Sequence, residues 1–166
     1  MCVILVPFKG GRNRMHTLYM PSPVGILKLQ EDRGILCCVS FEKGLAVPEG
    51  EETPLLLETQ SQLNAYFAGK LHAFDLPVSA RGTAFQRRVW QEMSKIPYGE
   101  TVTYGALAQA VGQPTASRAV GMACGKNPVV IILPCHRVIG AGRKLTGFAG
   151  GLDRKRFLLE MEEKNR

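Results

Sequence analysis

The sequence predicts an α/β protein in two parts, a small sheet-bearing domain over residues 1–80 and a mostly helical domain over residues 81–166. Three observations carry that expectation. Short apolar runs separated by proline- and glycine-containing turns fill residues 16–41, the pattern of a small antiparallel sheet. From Thr83 onward apolar positions recur at helical spacing, interrupted by Pro97-Tyr98-Gly99 and Gly112. Charge divides at the same place: residues 1–80 hold 7 Lys and Arg against 8 Asp and Glu, and residues 81–166 hold 14 against 6, so the net charge of +7 comes from the second part.

At the amino terminus, the apolar run Cys2–Phe8 is too short to span a bilayer and lacks both a preceding basic segment and a following small-residue cleavage site. Lys9-Gly10-Gly11-Arg12-Asn13-Arg14 reads as a basic linker, so residues 1–15 are expected to be flexible, with Met15 an alternative start. Pro21-Ser22-Pro23 and Asp32-Arg33-Gly34 bound the apolar runs Val24–Leu29 and Ile35–Phe41. Thr53-Pro54 supplies an N-cap and a first-turn proline for a helix to about Ala68, stopped by Gly69, with Leu56, Leu63 and Phe67 as its apolar stripe. Leu71–Val78 is expected to be extended.

In the second part, Phe85, Val89, Trp90, Met93 and Ile96 mark one helix over Thr83–Ile96. Thr103 caps a second through Val111, and Pro114 opens a third to about Gly125; two helices joined by a short glycine-containing turn match a helix-turn-helix. Ala116, Val120 and Ala123 share the inward face of the third helix, leaving Ser117, Arg118 and Gly121 outward. Small residues around one long cation suit close approach to a nucleic-acid backbone, and tight helix packing remains the alternative. Asp153 is expected to cap a last helix to about Glu163, on which Leu158 and Glu162 are four apart on one face.

The basic second part points to a polyanion, nucleic acid before an acidic membrane surface, because no basic amphipathic helix argues strongly for the membrane. Five cysteines, Cys2, Cys37, Cys38, Cys124 and Cys135, are odd in number and lack framework spacing. Reduced thiols in an intracellular, cytoplasmic setting are therefore expected. His16, His72 and His136 make no ligand pattern with a cysteine pair, so no metal is expected. Pro134-Cys135-His136-Arg137 then sets a thiol beside an imidazole and a guanidinium after the apolar run Val129–Leu133. An unperturbed thiol, of pKa about 8.5, is only slightly ionised at neutral pH, so a nearby base or cation is what activates it. From these residues alone, a small buried hydrophobe at a strand end is the other reading.

Taken together, Ile96-Pro97-Tyr98-Gly99-Glu100-Thr101, Tyr104-Gly105, Arg118-Ala119-Val120-Gly121, Asn127-Pro128, Pro134-Cys135-His136-Arg137-Val138-Ile139-Gly140 and Gly147-Phe148-Ala149-Gly150-Gly151-Leu152 closely resemble the O6-alkylguanine-DNA alkyltransferases. The resemblance implies a ribonuclease-H-like first domain and a winged-helix-like helix-turn-helix second domain. It also implies direct repair of double-stranded DNA: the alkyl group of O6-alkylguanine passes irreversibly to Cys135, once per monomeric molecule and without a cofactor. O4-alkylthymine is a second lesion that the resemblance suggests.

By the same resemblance, His136 takes the Cys135 proton through a water, Glu162 orients the imidazole, and Asn127 is a hinge tying the recognition helix to the active-site turn. Tyr104 crowds a phosphate, Arg118 fills the vacated stack, and Ser117 belongs to the DNA face, all of which suits a base that must be extruded. Cys124, Val138, Phe148, Ala149 and Gly150 would surround the base. Phe148 stands where many members carry Tyr, so that hydroxyl is absent, and recognition of O6 falls to Tyr104 or backbone amides. Two rivals are a helix-turn-helix regulator with a structural Cys135, and a cysteine hydrolase, which would need an oxyanion site that no motif supplies.

Overall fold

Strand β2 (Met15–Met20) and strand β3 (Leu27–Asp32) form a hairpin in which Leu18 pairs with Leu29, and β3 pairs in turn with β4 (Ile35–Phe41), all antiparallel. The computed structural model describes residues 14–44 and 46–166, together with the backbone of strand β1 (Ile4–Leu5). Apart from that strand's backbone, the run Cys2–Phe8 and residues 9–13 of the basic linker lie outside the described residues. β1 and β5 (Pro77–Val78) extend the sheet in parallel, giving the order β1-β5-β4-β3-β2. The small antiparallel sheet read from the sequence is therefore the larger part of a mixed one. Two-residue strands such as β1 and β5 carry too little alternation to be seen in a sequence.

Helix α1 (Pro54–Phe67) begins where the sequence says it should, with the Thr53 side chain accepting from the Leu56 amide and a proline in the first turn. It packs on β2, β3 and β4. Its buried stripe is Leu56, Thr59, Leu63 and Tyr66, so Tyr66 takes the place expected of Phe67 and meets Phe74 at 5.4 Å. The extended stretch expected over 71–78 is a strand only at its end.

The chain divides into two compact units. The first holds residues 1–81 and 128–130, and the second holds residues 82–127 and 131–166. The insertion of Pro128–Val130 into the first unit departs from a single cut at residue 80. There the Val39 amide donates to the Pro128 carbonyl and the Val130 amide to the Val39 carbonyl, each at 2.9 Å.

In the second unit, α2 (Ala84–Met93) has a full capping box, Thr83 and Gln86 each bonding the other's backbone. α3 (Tyr104–Ala110) is capped by Thr103, and α4 (Ser117–Gly125) follows. The three helices pack on one another, and the buried Trp90 Nε1 donates to the Ala123 carbonyl at 2.9 Å, binding α2 to α4. Pro114 does not open α4. Helix begins only at Ser117, so residues 111–116 form a longer connection than the sequence suggests, and Ala116 leaves the helix start without a side-chain cap.

The apolar run 129–133 is not a strand but an isolated bridge and a turn, with Ile131 buried at a φ of 73°. A β-branched residue in the left-handed region is a strained arrangement. α5 (Leu152–Lys164) starts from Gly151 at φ 88°, so Asp153 lies in its first turn and is not its cap.

Candidate active site

Cys135 opens a three-residue 3₁₀ turn, Cys135–Arg137, and is 5% exposed. The turn runs directly into β7 (Val138–Ile139), which pairs in parallel with β6 (Val102–Thr103). Thr103 is also the cap of α3, so this two-stranded ladder fixes Cys135 against the start of the helix that carries Tyr104. On the other side, Asn127 follows α4 and its Nδ2 donates to the Leu133 carbonyl at 2.7 Å and to Cys135 Sγ at 3.1 Å.

His136 and Glu162 are both fully buried, with His136 Nε2 2.8 Å from Glu162 Oε1. A carboxylate only accepts, so Nε2 carries the proton and Nδ1 is the basic nitrogen. Arg137 grips the same carboxylate through Nε, 3.0 Å from Oε2, and Nη2, 3.0 Å from Oε1. Its Nη1 donates to the Ile96 carbonyl at 2.6 Å, and its guanidinium lies 5.7 Å from the centre of the Tyr98 ring. The Gly99 amide adds a donor to Glu162 Oε2 at 3.0 Å from a φ of 72° that suits glycine alone.

Electrostatics follow from this packing. Burial pushes the Glu162 carboxyl up, but the donors and charges of His136 and Arg137 outweigh it and hold it well below the usual carboxylate range. Burial lowers the His136 imidazole, and Arg137 and Lys155 push the same way against Glu162, so the ring is neutral at pH 7. With the ring uncharged, the Arg137 cation is what balances Glu162. Burial raises the Cys135 thiol, opposed by the Asn127 amide, the Lys155 charge and the backbone amides of Cys135 and His136. Cys124, on α4, is pushed up to about 12 by burial and by Cys135.

Tyr104 and Lys155 converge on the loop that follows. The Tyr104 hydroxyl is shared between the Thr146 and Gly147 carbonyls at 3.0 and 3.2 Å. Lys155 is fully buried, and its Nζ donates to the Val138 carbonyl at 2.6 Å, to Thr146 at 2.8 Å and to Gly147 at 3.4 Å.

The structure thus buries Cys135 with Asn127 and His136 with Glu162 at one turn, places Val138 against it through Lys155, and sets Cys124 close enough to be perturbed by Cys135 and to perturb Tyr104. Phe148 is half-buried and Ala149 exposed on the loop, and the Gly150 carbonyl accepts from Arg154. Ser117 is half-buried and Arg118 exposed, at the first turn of α4.

One expectation is corrected. The guanidinium of Arg137 does not face the sulfur but belongs to the carboxylate, and the cation that acts on the thiol is Lys155. Lys155 was not singled out from the sequence, although it was legible there: Lys155, Leu158 and Glu162 lie at i, i+3 and i+7, the three buried positions of α5. Among the described residues no cluster of three His, Cys, Asp or Glu side chains could hold a metal ion.

The arrangement defines a class: a helix-turn-helix unit built around a buried cysteine whose next residue is a buried histidine paired with a buried carboxylate. Comparison with known proteins agrees and narrows it. The family profile described as "6-O-methylguanine DNA methyltransferase, DNA binding domain" matches residues 84–164, and "6-O-methylguanine DNA methyltransferase, ribonuclease-like domain" matches residues 15–80. A methylated-DNA–protein-cysteine methyltransferase of Methanosarcina acetivorans is 49% identical over 153 residues, covering 89% of this chain and 98% of its own length.

The crystal structure of Mycobacterium tuberculosis O6-methylguanine methyltransferase superposes with a TM-score of 0.82 at 45% identity, covering 92% of this chain and 94% of that one. A structure of the same organism's protein in complex with DNA gives a TM-score of 0.82 at 45% identity, over 90% and 93% of the two chains. The chain belongs to the methylated-DNA–protein-cysteine methyltransferase family, whose members are enzymes of DNA repair.

Proposed function

We propose that this protein binds double-stranded DNA, receives an everted O6-alkylguanine beside Cys135, and takes the alkyl group onto that sulfur once per molecule. The observation that carries the reading is the pair of buried contacts on adjacent residues, Asn127–Cys135 and His136–Glu162–Arg137, inside the unit that holds the chain's positive charge. Displacement at a saturated carbon calls for a soft nucleophile, and a thiolate is the best a side chain offers.

The step balances without a cofactor. The S–H bond of Cys135 breaks and its proton passes, through a water, to Nδ1 of His136. The C–S bond forms as the carbon–O6 bond breaks, and the electron pair left on the purine is neutralised by that same proton. The product is a thioether and ordinary guanine. Glu162, fixed by Arg137 and Gly99, keeps Nε2 protonated and the basic nitrogen turned away from itself. Since a thioether is no leaving group under these conditions, the molecule acts once.

Eversion costs a few kcal/mol, and Arg118, exposed at the start of α4, is the side chain we assign to the emptied stack, with Ser117 beside it on the backbone. Tyr104 stands at the mouth, its hydroxyl already on the Thr146 and Gly147 carbonyls, where it can crowd a phosphate as the base enters. Cys124, Val138 and the Phe148–Gly150 loop form the walls. In this reading the protein works as a monomer inside the cell.

The decisive experiment mixes the protein with a duplex oligonucleotide containing one O6-methylguanine. A gain of one methyl group on the Cys135 peptide, equal to the methyl lost from DNA, is expected by mass spectrometry. An unchanged peptide would overturn the reading. Cys135→Ala should bind the duplex and transfer nothing.

A further inference from the structure

The charges of the buried site balance in pairs, with one left over. Glu162 faces Arg137 through two donors at 3.0 Å, an anion and a cation removed from water together. Lys155, also on α5 and also fully buried, has no such partner among the described residues. Its three acceptors are the uncharged carbonyls of Val138, Thr146 and Gly147. Its ammonium lies 5.7 Å from the centre of the Tyr104 ring, again without a negative charge.

An isolated buried cation is costly unless an anion forms near it. Cys124 from α4, Tyr104 from α3 and Lys155 from α5 act electrostatically with Cys135, and the remaining ionisable groups of the site, His136 and Arg137 from its own turn, Tyr98 from the turn after α2 and Glu162 from α5, interact with one another. Glu162 is already held by Arg137, while Cys124 and Tyr104 are both pushed toward their neutral forms by burial. Of these groups, Cys135 is the one left to become the counter-ion. It starts the turn whose end, Val138, hands its carbonyl to Lys155, and the two groups act on each other across that turn.

We propose that Lys155 is the counter-cation of the Cys135 thiolate, a positioning residue that makes the buried sulfur ionise and that at the same time ties the loop at Thr146–Gly147 to the active-site turn. The inference deepens the reading of Cys135 as alkyl acceptor and rests on it for its biological meaning, but it concerns the acidity of the thiol alone. The cation favours loss of the thiol proton and opposes its retention on His136, so the proton is driven onward to the leaving purine. Sign follows directly: removing the charge stabilises S–H over S⁻ and moves thiol ionisation to higher pH.

The test needs no DNA, so its failure is distinguishable from failure of the repair reading. Alkylation of the intact protein by iodoacetamide is followed at the Cys135 peptide between about pH 5 and pH 9, because rate tracks the thiolate fraction. Lys155→Met should shift the profile upward by about one pH unit, leaving the neutral-pH rate about tenfold lower. Lys155→Gln separates the two roles, since an amide can still donate to the carbonyls while carrying no charge. Gln should shift the profile as Met does, and Lys155→Arg should leave it near wild type.

A profile for Lys155→Gln that matches the parent would overturn the proposal, reducing Lys155 to a loop fastener. Should Lys155→Met fail to fold by circular dichroism, the Gln and Arg variants alone decide the matter. A profile shifted equally by Gln and Arg would also overturn it, since charge would then be immaterial.

Discussion

The side-chain amide of Asn127 spans the gap between the end of α4 and Cys135, donating to the sulfur at 3.1 Å while a second bond at 2.7 Å to the Leu133 carbonyl fixes its direction. The donor is thus in place before the thiol ionises, and a hydrogen bond to the charged form lowers its energy without reorganisation. Asn127→Ala should slow methyl transfer by roughly 10- to 100-fold, the equivalent of losing about 1.5–3 kcal/mol from one bond to a charged group. Asn127→Asp should be slower still, because a carboxylate beside the thiol disfavours thiolate. Single-turnover transfer from methylated duplex checks both; an Asp variant faster than Ala would contradict this account.

Trp90 makes a separate point about stability. Its indole is 1% exposed and Nε1 bonds the Ala123 carbonyl, so Trp90→Phe removes volume from a packed site and leaves that carbonyl with only the Lys126 amide, at 3.2 Å. A loss of about 1–3 kcal/mol is expected. Trp90 is the sole tryptophan, so denaturant unfolding has to be followed by circular dichroism in place of its fluorescence.

Acid should weaken the protein in two stages. His136 is held below its ordinary value of 6.5, so the unfolded chain gains a proton there as pH falls through 6.5 while the folded chain does not, and stability declines. Glu162 is likewise depressed from an ordinary 4.5, so its contribution is complete above that value and is lost progressively at lower pH. The slope for one such proton is about 1.4 kcal/mol per pH unit. Urea unfolding at a series of pH values should show the first decline in the parent and not in His136→Gln. An identical slope in both would show that other groups set it.

These features differ in how far the sequence discloses them. The caps at Thr53 and Thr103 are legible, because each acts locally, accepting from an amide three residues ahead, and Thr83, read as the first residue of its helix, is its cap by the same geometry. The Cys135–His136 and Glu162 assignments came through resemblance to a family, and on bare pattern Glu162 was one acid among Glu160 and Glu163. Only the fold separates them, burying Glu162 fully and leaving its neighbours exposed. The strand expected before Cys135 failed for a tertiary reason. Val129 and Val130 bridge to Val39 while Ile131 turns left-handed, and an apolar run says nothing of such a break. Lys155 was passed over because a lysine on a helix is ordinarily a solvated charge, and its carbonyl partners at Val138, Thr146 and Gly147 are distant in sequence.

Arg118 gives the sharpest test of how DNA is engaged. It is exposed, and it shares the solvent face of α4 with Met122, four residues on and 68% exposed, while Gly121 between them is so close to Tyr104 that an added Cβ would sit 3.7 Å from its ring. That face can therefore approach a groove with one long cation leading. If Arg118 occupies the place of the everted base, its removal slows only reactions that require eversion. Arg118→Ala should reduce transfer from methylated duplex by about 1–3 kcal/mol, roughly 10- to 100-fold, the scale of a lost stacking contact. Transfer from free O6-methylguanine base should stay within a factor of about two of the parent, since no base has to leave a stack. Equal slowing on both substrates would remove Arg118 from this role and point instead to a disturbance of α4 that reaches Asn127.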